Sequence, residues 1–272
     1  MPLRFTLRAK PSVPLEVEGI TPDQTQGKSL AEIELMEMFE GNVKSRLADF
    51  FAVSGDAADG IHEWSGDLAG VHWIGAKMQA GKIVVEGNAG RHLGSELGGG
   101  EIQVLGDAGD WVGAEMHGGL IHVRGNAGDL VGAAYRGSVK GMTHGTILIG
   151  GDAGHEIGSS MRRGLIAIGG NIGDLAGVNM IAGSIFIMGD SGIRHGAGMK
   201  RGTLAFLGEN PPPLLPTFRR ACRYQPEALR LMYRHLRQLN FAVDETPFLG
   251  AYDLHNGDFL AGGRGELLLR VA

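Results

Sequence analysis

The sequence predicts an all-β protein built around a right-handed parallel β-helix, a single-stranded solenoid of about seven 19-residue coils. Three observations lead to this fold class. Glycine supplies 47 of the 272 residues, far above the average of about 7%. A glycine spacing of the form G-x-x-G-x-x-x-G recurs along the chain, and apolar residues recur at fixed distances from it. Such self-similarity at a fixed period is typical of solenoid proteins.

The glycine spacing recurs every 19 residues over most of the central region. Its first complete copy consists of Gly87, Gly90 and Gly94. The later copies begin at Gly106, Gly125, Gly151, Gly170 and Gly189, and a degenerate copy begins at Leu68. The step from Gly125 to Gly151 is longer because residues 135–141 form an insertion of seven residues.

Each repeat carries the same residue types at the same offset, counted from its first glycine as offset zero and leaving out the insertion. Offsets 15 and 17 are mostly β-branched, as in Ile102 and Val104, and residues two apart lie on one face of a strand. Glycine followed by Asn or Asp at offset 1 supports tight corners. Offset 10 is mostly methionine, in the order Met78, Leu97, Met116, Met142, Met161, Met180 and Met199. We therefore expect parallel strands with like side chains stacked inside, and parallel crossovers favour the right hand.

Two flanking regions lack the repeat, which divides the chain into residues 1–60, 61–208 and 209–272. The first is predicted to be a β cap, with strands at 3–8 and 13–18 and a hairpin of 32–39 with 47–53 around Gly41-Asn42. The last begins with the stiff run Pro211-Pro212-Pro213. An amphipathic helix at 226–239 and a strand at 266–271 are expected to follow.

Composition excludes several classes of function. Lys and Arg total 25 and Asp and Glu total 30, giving a net charge of −5, so nucleic acid is not expected as a partner. The one cysteine, Cys222, cannot form an internal disulfide or a cysteine-based metal site. The N-terminus does not read as a signal peptide and no apolar stretch is long enough to span a membrane. A cytoplasmic protein is therefore expected.

No catalytic or metal-binding set emerges from the residue pattern. The histidines fall at different offsets, for example His92 at offset 5 and His117 at offset 11, so the repeat is expected to scatter them. His72 and His155 share an offset but lie four repeats apart. The Gly-Asp-Ala-Gly runs carry too few acidic residues per turn for a calcium-binding β-roll. We therefore expect no catalytic residue, no metal and no firmly bound cofactor on this chain.

Several segments resemble the C-subunit of formylmethanofuran dehydrogenase, whose family includes the C-subunit of the bacterial formyltransferase/hydrolase complex. These segments are Ile74–Met78, Gly87–Gly90, Val112–Met116, Tyr135-Arg136-Gly137 with Lys140-Gly141-Met142, and the tail motifs Gly257-Asp258 and Gly263–Glu266. The glycine spacing alone is shared with the C-terminal domain of the glutamate synthase large subunit. A glutamate-synthase-like structural domain therefore remains an alternative.

The resemblance implies a non-catalytic scaffold subunit in one-carbon metabolism. In the hydrolase complex it would support formyl transfer between tetrahydromethanopterin and methanofuran and the release of formate. The implied partners are formyltransferase, amidohydrolase-like and dehydrogenase-B-like chains, which would hold the methanofuran-type coenzyme and zinc. The alternative is the archaeal molybdenum or tungsten pterin dehydrogenase. The excess of arginine over lysine favours the bacterial complex.

Two surfaces are predicted to be functional. The outward offsets become apolar in the later repeats, which indicates a covered face; either a partner subunit or the chain's own helix at 226–239 would cover it. The residues of this face are Leu148, Leu165, Phe186, Met188 and Leu207. A cationic edge is predicted to hold the glutamyl tail that the resemblance implies for the coenzyme, or an acidic partner. The residues of this edge are Arg136, Lys140, Arg162, Arg163, Lys200 and Arg201.

Overall fold

Seven short strands, one from each repeat, lie side by side in parallel in the computed structural model, which describes residues 1–271. These strands are β8 (Lys82–Glu86), β9 (Glu101–Val104), β10 (Leu120–Val123), β11 (Thr146–Ile149), β12 (Leu165–Ile168), β13 (Ser184–Ile187) and β14 (Arg201–Phe206). Their register places Ile102 opposite Ile121, and Ile121 opposite Ile147. Equal offsets therefore meet across the strands, as the repeat predicts, and the register is held through the seven-residue insertion.

The core consists of the columns that the repeat brings together. Ile102 and Val104, at offsets 15 and 17, are fully buried, and so are Met116 and Met161 at offset 10. β-Branched side chains suit a pleated surface, while the flexible methionines fill the irregular space opposite it. Every residue of the methionine column, including Leu97, is 0% exposed.

Glycines shape some corners of the repeat, and Asn or Asp side chains at offset 1 stabilise another. Gly94 has φ of +59°, which favours glycine, and a Cβ there would lie 2.6 Å from Cδ1 of Ile121, so a larger residue would have to displace that core side chain. At offset 1, the backbone N–H of Asp107 donates to Oδ1 of Asn88 at 2.9 Å, and that of Asn126 donates to Oδ1 of Asp107 at 2.7 Å. These side chains thus link one repeat to the next, which is more than support for a local turn.

The remaining strands lie outside the seven parallel ones. They are β1 (Leu3–Leu7), β2 (Leu15–Glu16), β3 (Glu37–Glu40), β4 (Val43–Arg46), β5 (Phe51–Ser54), β6 (Ile61–Ser65), β7 (Val71–His72), β15 (Arg219–Tyr224), β16 (Tyr252–Gly257) and β17 (Arg264–Arg270). The helices are α1 (Pro22–Thr25), α2 (Leu30–Glu34), α3 (Leu47–Phe50) and α4 (Glu227–Gln238).

The prediction of a single-stranded, right-handed parallel β-helix is wrong as the fold class. The structure has one 13-stranded mixed sheet, in the order β15-β16-β17-β14-β13-β12-β11-β10-β9-β8-β6-β1-β5, and a four-stranded sheet in the order β4-β3-β2-β7. The pairs β1–β5, β15–β16 and β16–β17 are antiparallel. The physical reason is that the outermost repeat strands have unpaired backbone edges, and the flanking segments extend the sheet to fill them.

The strands of the N-terminal segment are shorter than predicted, and the segment also contains three short helices. The hairpin pairs β3 with β4 around Gly41-Asn42. Helix α2 replaces the outer part of the predicted arm 32–39, and the predicted arm 47–53 is divided between α3 and β5. Ser29 and Glu32 form a capping box at the start of α2, which fixes that helix locally. His62 on β6 is fully buried there, with Nε2 2.8 Å from Oγ1 of Thr25.

The C-terminal segment contains the predicted helix and more strands than the one predicted. Helix α4 follows Pro226 and buries Leu229 and Leu236, with Met232 partly buried between them. Strand β17 pairs in parallel with β14 and extends the sheet past the last repeat. Within residues 1–271, no helix is long and apolar enough to cross a membrane.

Candidate functional site

A basic cleft lies at the corner that precedes the later repeat strands. Arg162 and Arg163 come just before β12, and Arg201 begins β14. With Thr143, Ile181 and Ala182, these arginines line a cleft of about 430 Å³. The parallel register of the strands brings the three arginines together, because the same corner recurs once per repeat.

A second cleft adjoins the first and shares Arg201 with it. Its volume is about 310 Å³, and its other cations are Lys200 and Arg264. Arg264 lies directly opposite Arg201 in the β14–β17 pair. Sequence reasoning missed Arg264, although the Arg-Gly pair at 264–265 matches the Arg-Gly pair at 201–202 and could have been aligned with the repeat.

The cations of the two adjoining clefts are not neutralised by carboxylates of residues 1–271. In the part that the structure describes, none of Arg162, Arg163, Lys200, Arg201 and Arg264 forms a salt bridge. The Nε of Arg162 is buried and has no hydrogen-bond partner among the described residues. An uncompensated group of like charges on an acidic protein creates a local positive field that suits an anionic ligand.

The other two residues of the predicted cationic edge lie apart from these clefts. Arg136 lines a different cleft, described below, and Lys140 is exposed on the insertion and lines neither part of the basic region. The insertion rejoins the repeat where the N–H of Gly141 donates to the carbonyl oxygen of Ser160 at 3.0 Å. The predicted single row of six cations is therefore divided by the path of the insertion.

The predicted apolar face lies under the chain's own helix. Leu148, Leu165, Phe186 and Leu207 are buried, and Met188 packs at the edge of the same cluster. Phe186 lies between Ala167 and Ala205 on the neighbouring strands, which leaves room for its ring beneath α4. A partner role for these five residues stays a prediction, and any partner at this face would meet the outer surface of α4 or displace the helix.

An aromatic cleft of about 590 Å³ forms at another corner, beside the insertion. Three successive repeats place Trp73, His92 and Trp111 at offset 5, and their rings stack. The ring centroids of Trp73 and His92 are 4.1 Å apart and those of His92 and Trp111 are 6.0 Å apart. Tyr135, from the insertion, packs 5.0 Å from Trp111. Sequence reasoning missed this column because it tested the histidines for metal binding and not for their neighbours at the same offset.

Tyr135 and His92 are held together and kept uncharged at neutral pH. The Tyr135 hydroxyl lies 3.2 Å from Nδ1 of His92, and the Tyr135 backbone N–H donates to Glu115 at 3.0 Å. Burial, with the neighbouring His72 and Arg91, lowers the pKa of His92 to about 4. Burial raises the pKa of the Tyr135 hydroxyl to about 12.

The described residues do not form a metal-binding site. Residues 1–271 contain no group of three or more His, Cys, Asp or Glu side chains placed to hold a metal ion. The clefts described above present positive charge and aromatic rings at the surface.

Comparison with known proteins identifies relatives among the C-subunits of formylmethanofuran dehydrogenases, although no family model matches the chain. The sequence is 41% identical over 94 residues to the C-subunit of the tungsten-containing formylmethanofuran dehydrogenase 2 of Methanothermobacter wolfeii, covering 33% of this chain and 35% of that protein. It is 42% identical over 85 residues to the C-subunit of the molybdenum-containing formylmethanofuran dehydrogenase 1 of Methanosarcina barkeri, covering 30% and 28%. The chain thus spans about a third of the length of the curated relatives it matches.

Similarity to a solved structure extends over the whole chain. A chain of the formyltransferase/hydrolase complex of Methylorubrum extorquens, solved in complex with methylofuran, superposes with a TM-score of 0.91 at 31% identity. The match covers 99% of this chain and 100% of that one. The chain therefore belongs to the family that unites the C-subunit of the formylmethanofuran dehydrogenases with its counterpart in the formyltransferase/hydrolase complex.

Proposed function

We propose that this chain is the C-subunit of a formyltransferase/hydrolase complex and acts there as a non-catalytic scaffold. In that role it supports formyl transfer from tetrahydromethanopterin to methanofuran and the release of formate by partner chains. The observation that carries the proposal is the full-length match to a chain of such a complex, at a TM-score of 0.91. An end-to-end match of this kind is what a subunit occupying the same place in an assembly requires.

The molybdenum or tungsten formylmethanofuran dehydrogenase is the second candidate. It is favoured by the local identity of 41% to the C-subunit of the archaeal enzymes. That match covers 33% of this chain in the tungsten enzyme, whereas the match to the hydrolase complex covers 99%. The full-length match therefore makes the hydrolase complex the better proposal.

Co-purification and metal analysis distinguish the two candidates. The chain is tagged and isolated from its own organism, and the bound chains and metals are identified. We expect formyltransferase, amidohydrolase-like and dehydrogenase-B-like partners, with zinc and without molybdenum or tungsten. Recovery of a molybdenum or tungsten enzyme would select the second candidate, and recovery of neither set of partners would overturn both.

The adjoining basic clefts are proposed to hold the anionic tail of the methanofuran-type coenzyme. Their fit rests on the guanidinium groups of Arg162, Arg163, Arg201 and Arg264, which form no salt bridge with any residue of 1–271, since guanidinium binds carboxylates in a bidentate manner. An exposed ion pair is worth less than about 1 kcal/mol, so several pairs must act together. Partner chains would supply the chemistry, and this chain would only position the tail.

A double charge reversal tests the proposed role of the basic clefts. Arg162→Glu with Arg163→Glu, in the assembled complex, should raise the apparent KM for the long-tailed coenzyme and leave that for a tail-free analogue unchanged. The matched control is Arg230→Glu with Arg234→Glu on α4, which changes the charge equally at exposed positions away from the clefts. Equal kinetics of the cleft variant on both substrates, in an intact complex, would show that the clefts do not hold the tail.

A further inference from the structure

We propose that the cleft beside Trp111, Tyr135 and Arg136 binds a planar aromatic molecule that carries a carboxylate. This site does not require that the chain belong to one complex or the other, because it is built from residues of this chain alone. The aromatic walls would stack on the ring of the ligand, and Arg136 would pair with its anionic group. The cleft volume of about 590 Å³ lies in the range typical of small-molecule sites.

The aromatic stack ends at the cleft. Trp73, His92 and Trp111 occupy offset 5 in three successive repeats, and the next residue at that offset is the aliphatic Leu130. Trp111, Leu130 and Tyr135 all line the open volume. Trp111 and Tyr135 thus both border the open volume, where the ring of a planar ligand can contact them.

The backbone does not require aromatic residues at these positions. Trp73, His92 and Trp111 have φ of +65°, +62° and +66°, but Leu130 and Leu175 have φ of +66° at the same offset. Glu156 and Arg194 adopt it as well, at +57° and +64°. The fold therefore accepts aliphatic and charged residues at this corner, and the aromatic rings at three consecutive repeats call for an explanation other than conformation.

Tyr135 is fixed as one wall of the cleft before any ligand arrives. Its hydroxyl lies 3.2 Å from Nδ1 of His92, and its backbone N–H is bound by the side chain of Glu115 at 3.0 Å. Its ring is inclined by 28° to that of Trp111. A wall that is already held in place loses little conformational freedom on binding.

Among the described residues that line the cleft, Arg136 is the cation that no carboxylate pairs with, and Asp129 is the carboxylate that no cation pairs with. Arg91 pairs with Asp110 at 3.2 Å, and Oδ1 of Asp129 accepts the N–H of His155 at 2.7 Å. Arg136 forms no salt bridge within residues 1–271 and is exposed at the rim. Arg136 can therefore pair with the carboxylate of an aromatic anion, which a neutral aromatic ring cannot do.

Tryptophan fluorescence of the full-length chain provides the test, because Trp111 lines the proposed site and Trp73 lies in the stack behind it. Trp64 is fully buried elsewhere and serves as an internal constant. The probes are phenylacetate, neutral phenylacetamide and the non-aromatic anion cyclohexylacetate. We expect a saturable change with phenylacetate that is at least about fivefold weaker in apparent affinity with each of the other two, as expected for the loss of one exposed charge pair or one stacking contact.

Three variants locate the site. Tyr135→Ala should abolish saturation and Tyr135→Phe should retain it, while Arg136→Gln should remove the preference for phenylacetate over phenylacetamide. Circular dichroism and thermal melting establish that each variant is folded, and isothermal calorimetry repeats the titration without relying on fluorescence. Equal binding of all three probes to the wild-type chain, saturation that persists in Tyr135→Ala, or no saturable binding of phenylacetate at all would each overturn the proposal.

Discussion

Lowering the pH should destabilise this protein measurably through one buried histidine, His62. Its ring is fully buried, with an edge toward Phe5 at a centroid distance of 4.9 Å and with Nε2 2.8 Å from Oγ1 of Thr25. Its Nδ1 is buried without a hydrogen-bond partner among the described residues. Burial lowers the pKa of His62 from the ordinary 6.5 to about 4, although Asp23 and Asp59 act in the opposite direction.

The sign and size of the effect follow from the two protonation states. The unfolded chain binds a proton at His62 below about pH 6.5, whereas the folded chain keeps the ring neutral until about pH 4. The contribution of neutral His62 to the free energy of unfolding is therefore fully present above pH 6.5 and is lost as the pH falls toward 4. At pH 5, which lies about 1.5 pH units below the pKa of His62 in the unfolded chain, protonation stabilises the unfolded chain. Each pH unit is worth about 1.4 kcal/mol, so His62 alone should lower the free energy of unfolding by about 2 kcal/mol.

Urea denaturation of the wild-type chain and of His62→Leu, each at pH 7 and pH 5, measures this contribution. The wild type should lose about 2 kcal/mol more free energy of unfolding between the two pH values than the variant does. Other buried histidines, such as His195, contribute to both proteins and cancel in the difference. His235→Leu, at an exposed position of α4, is the matched control and should behave as the wild type. The same pH dependence in His62→Leu and wild type would refute the assignment of this loss to His62.

Three further substitutions test the core, the covered face and a corner. Met161→Asp places a charge in the fully buried methionine column and should lower the free energy of unfolding by about 3 kcal/mol or more, whereas Met161→Leu should change it little. Phe186→Glu should loosen α4 from the sheet, so limited proteolysis should cut within 226–239 faster than in wild type while the repeat stays folded; unchanged cleavage would show that α4 docks without this ring. Gly94→Ala should destabilise by about 1 kcal/mol more than Gly137→Ala in thermal or urea denaturation. Both glycines have positive φ, but a Cβ at Gly94 meets Ile121 whereas one at Gly137 meets nothing within 4 Å, so equal losses would argue against the steric reason.

The repeat predicted side-chain neighbours better than it predicted the fold. Ile102 and Ile121 meet because a fixed period sets which offsets face each other. The period carries no information about the flanking segments, whose backbone N–H and C=O groups also need hydrogen-bond partners. Strand β15 is exposed at every position from Arg219 to Tyr224, so it has no apolar alternation by which the sequence could reveal it. The predicted fold class was therefore wrong, although the repeat predicted which side chains are neighbours in the central strands.

The candidate sites were predictable to different degrees. Arg162 and Arg201 share a corner through the repeat, and the sequence alone placed them together. Arg136 and Tyr135 belong to the insertion, whose path no periodic pattern describes, so their separation from the basic clefts required the structure. Helix α4 was predicted from its apolar spacing, but only the structure shows that it covers Phe186.

The insertion also bears on how such a chain can change during evolution. The N–H of Asp152 donates to Oδ1 of Asn126 at 2.8 Å across the longer repeat, and the 19-residue step before it has an equivalent bond of 2.7 Å between Asn126 and Asp107. The insertion at residues 135–141 extends from one corner of the repeat. The hydrogen bonds at offset 1 and the register of the strands are unchanged by it. Loops at this corner are therefore free to lengthen, shorten or acquire new residues without a compensating change in the interior, so new binding surfaces can arise by small insertions on an unchanged frame.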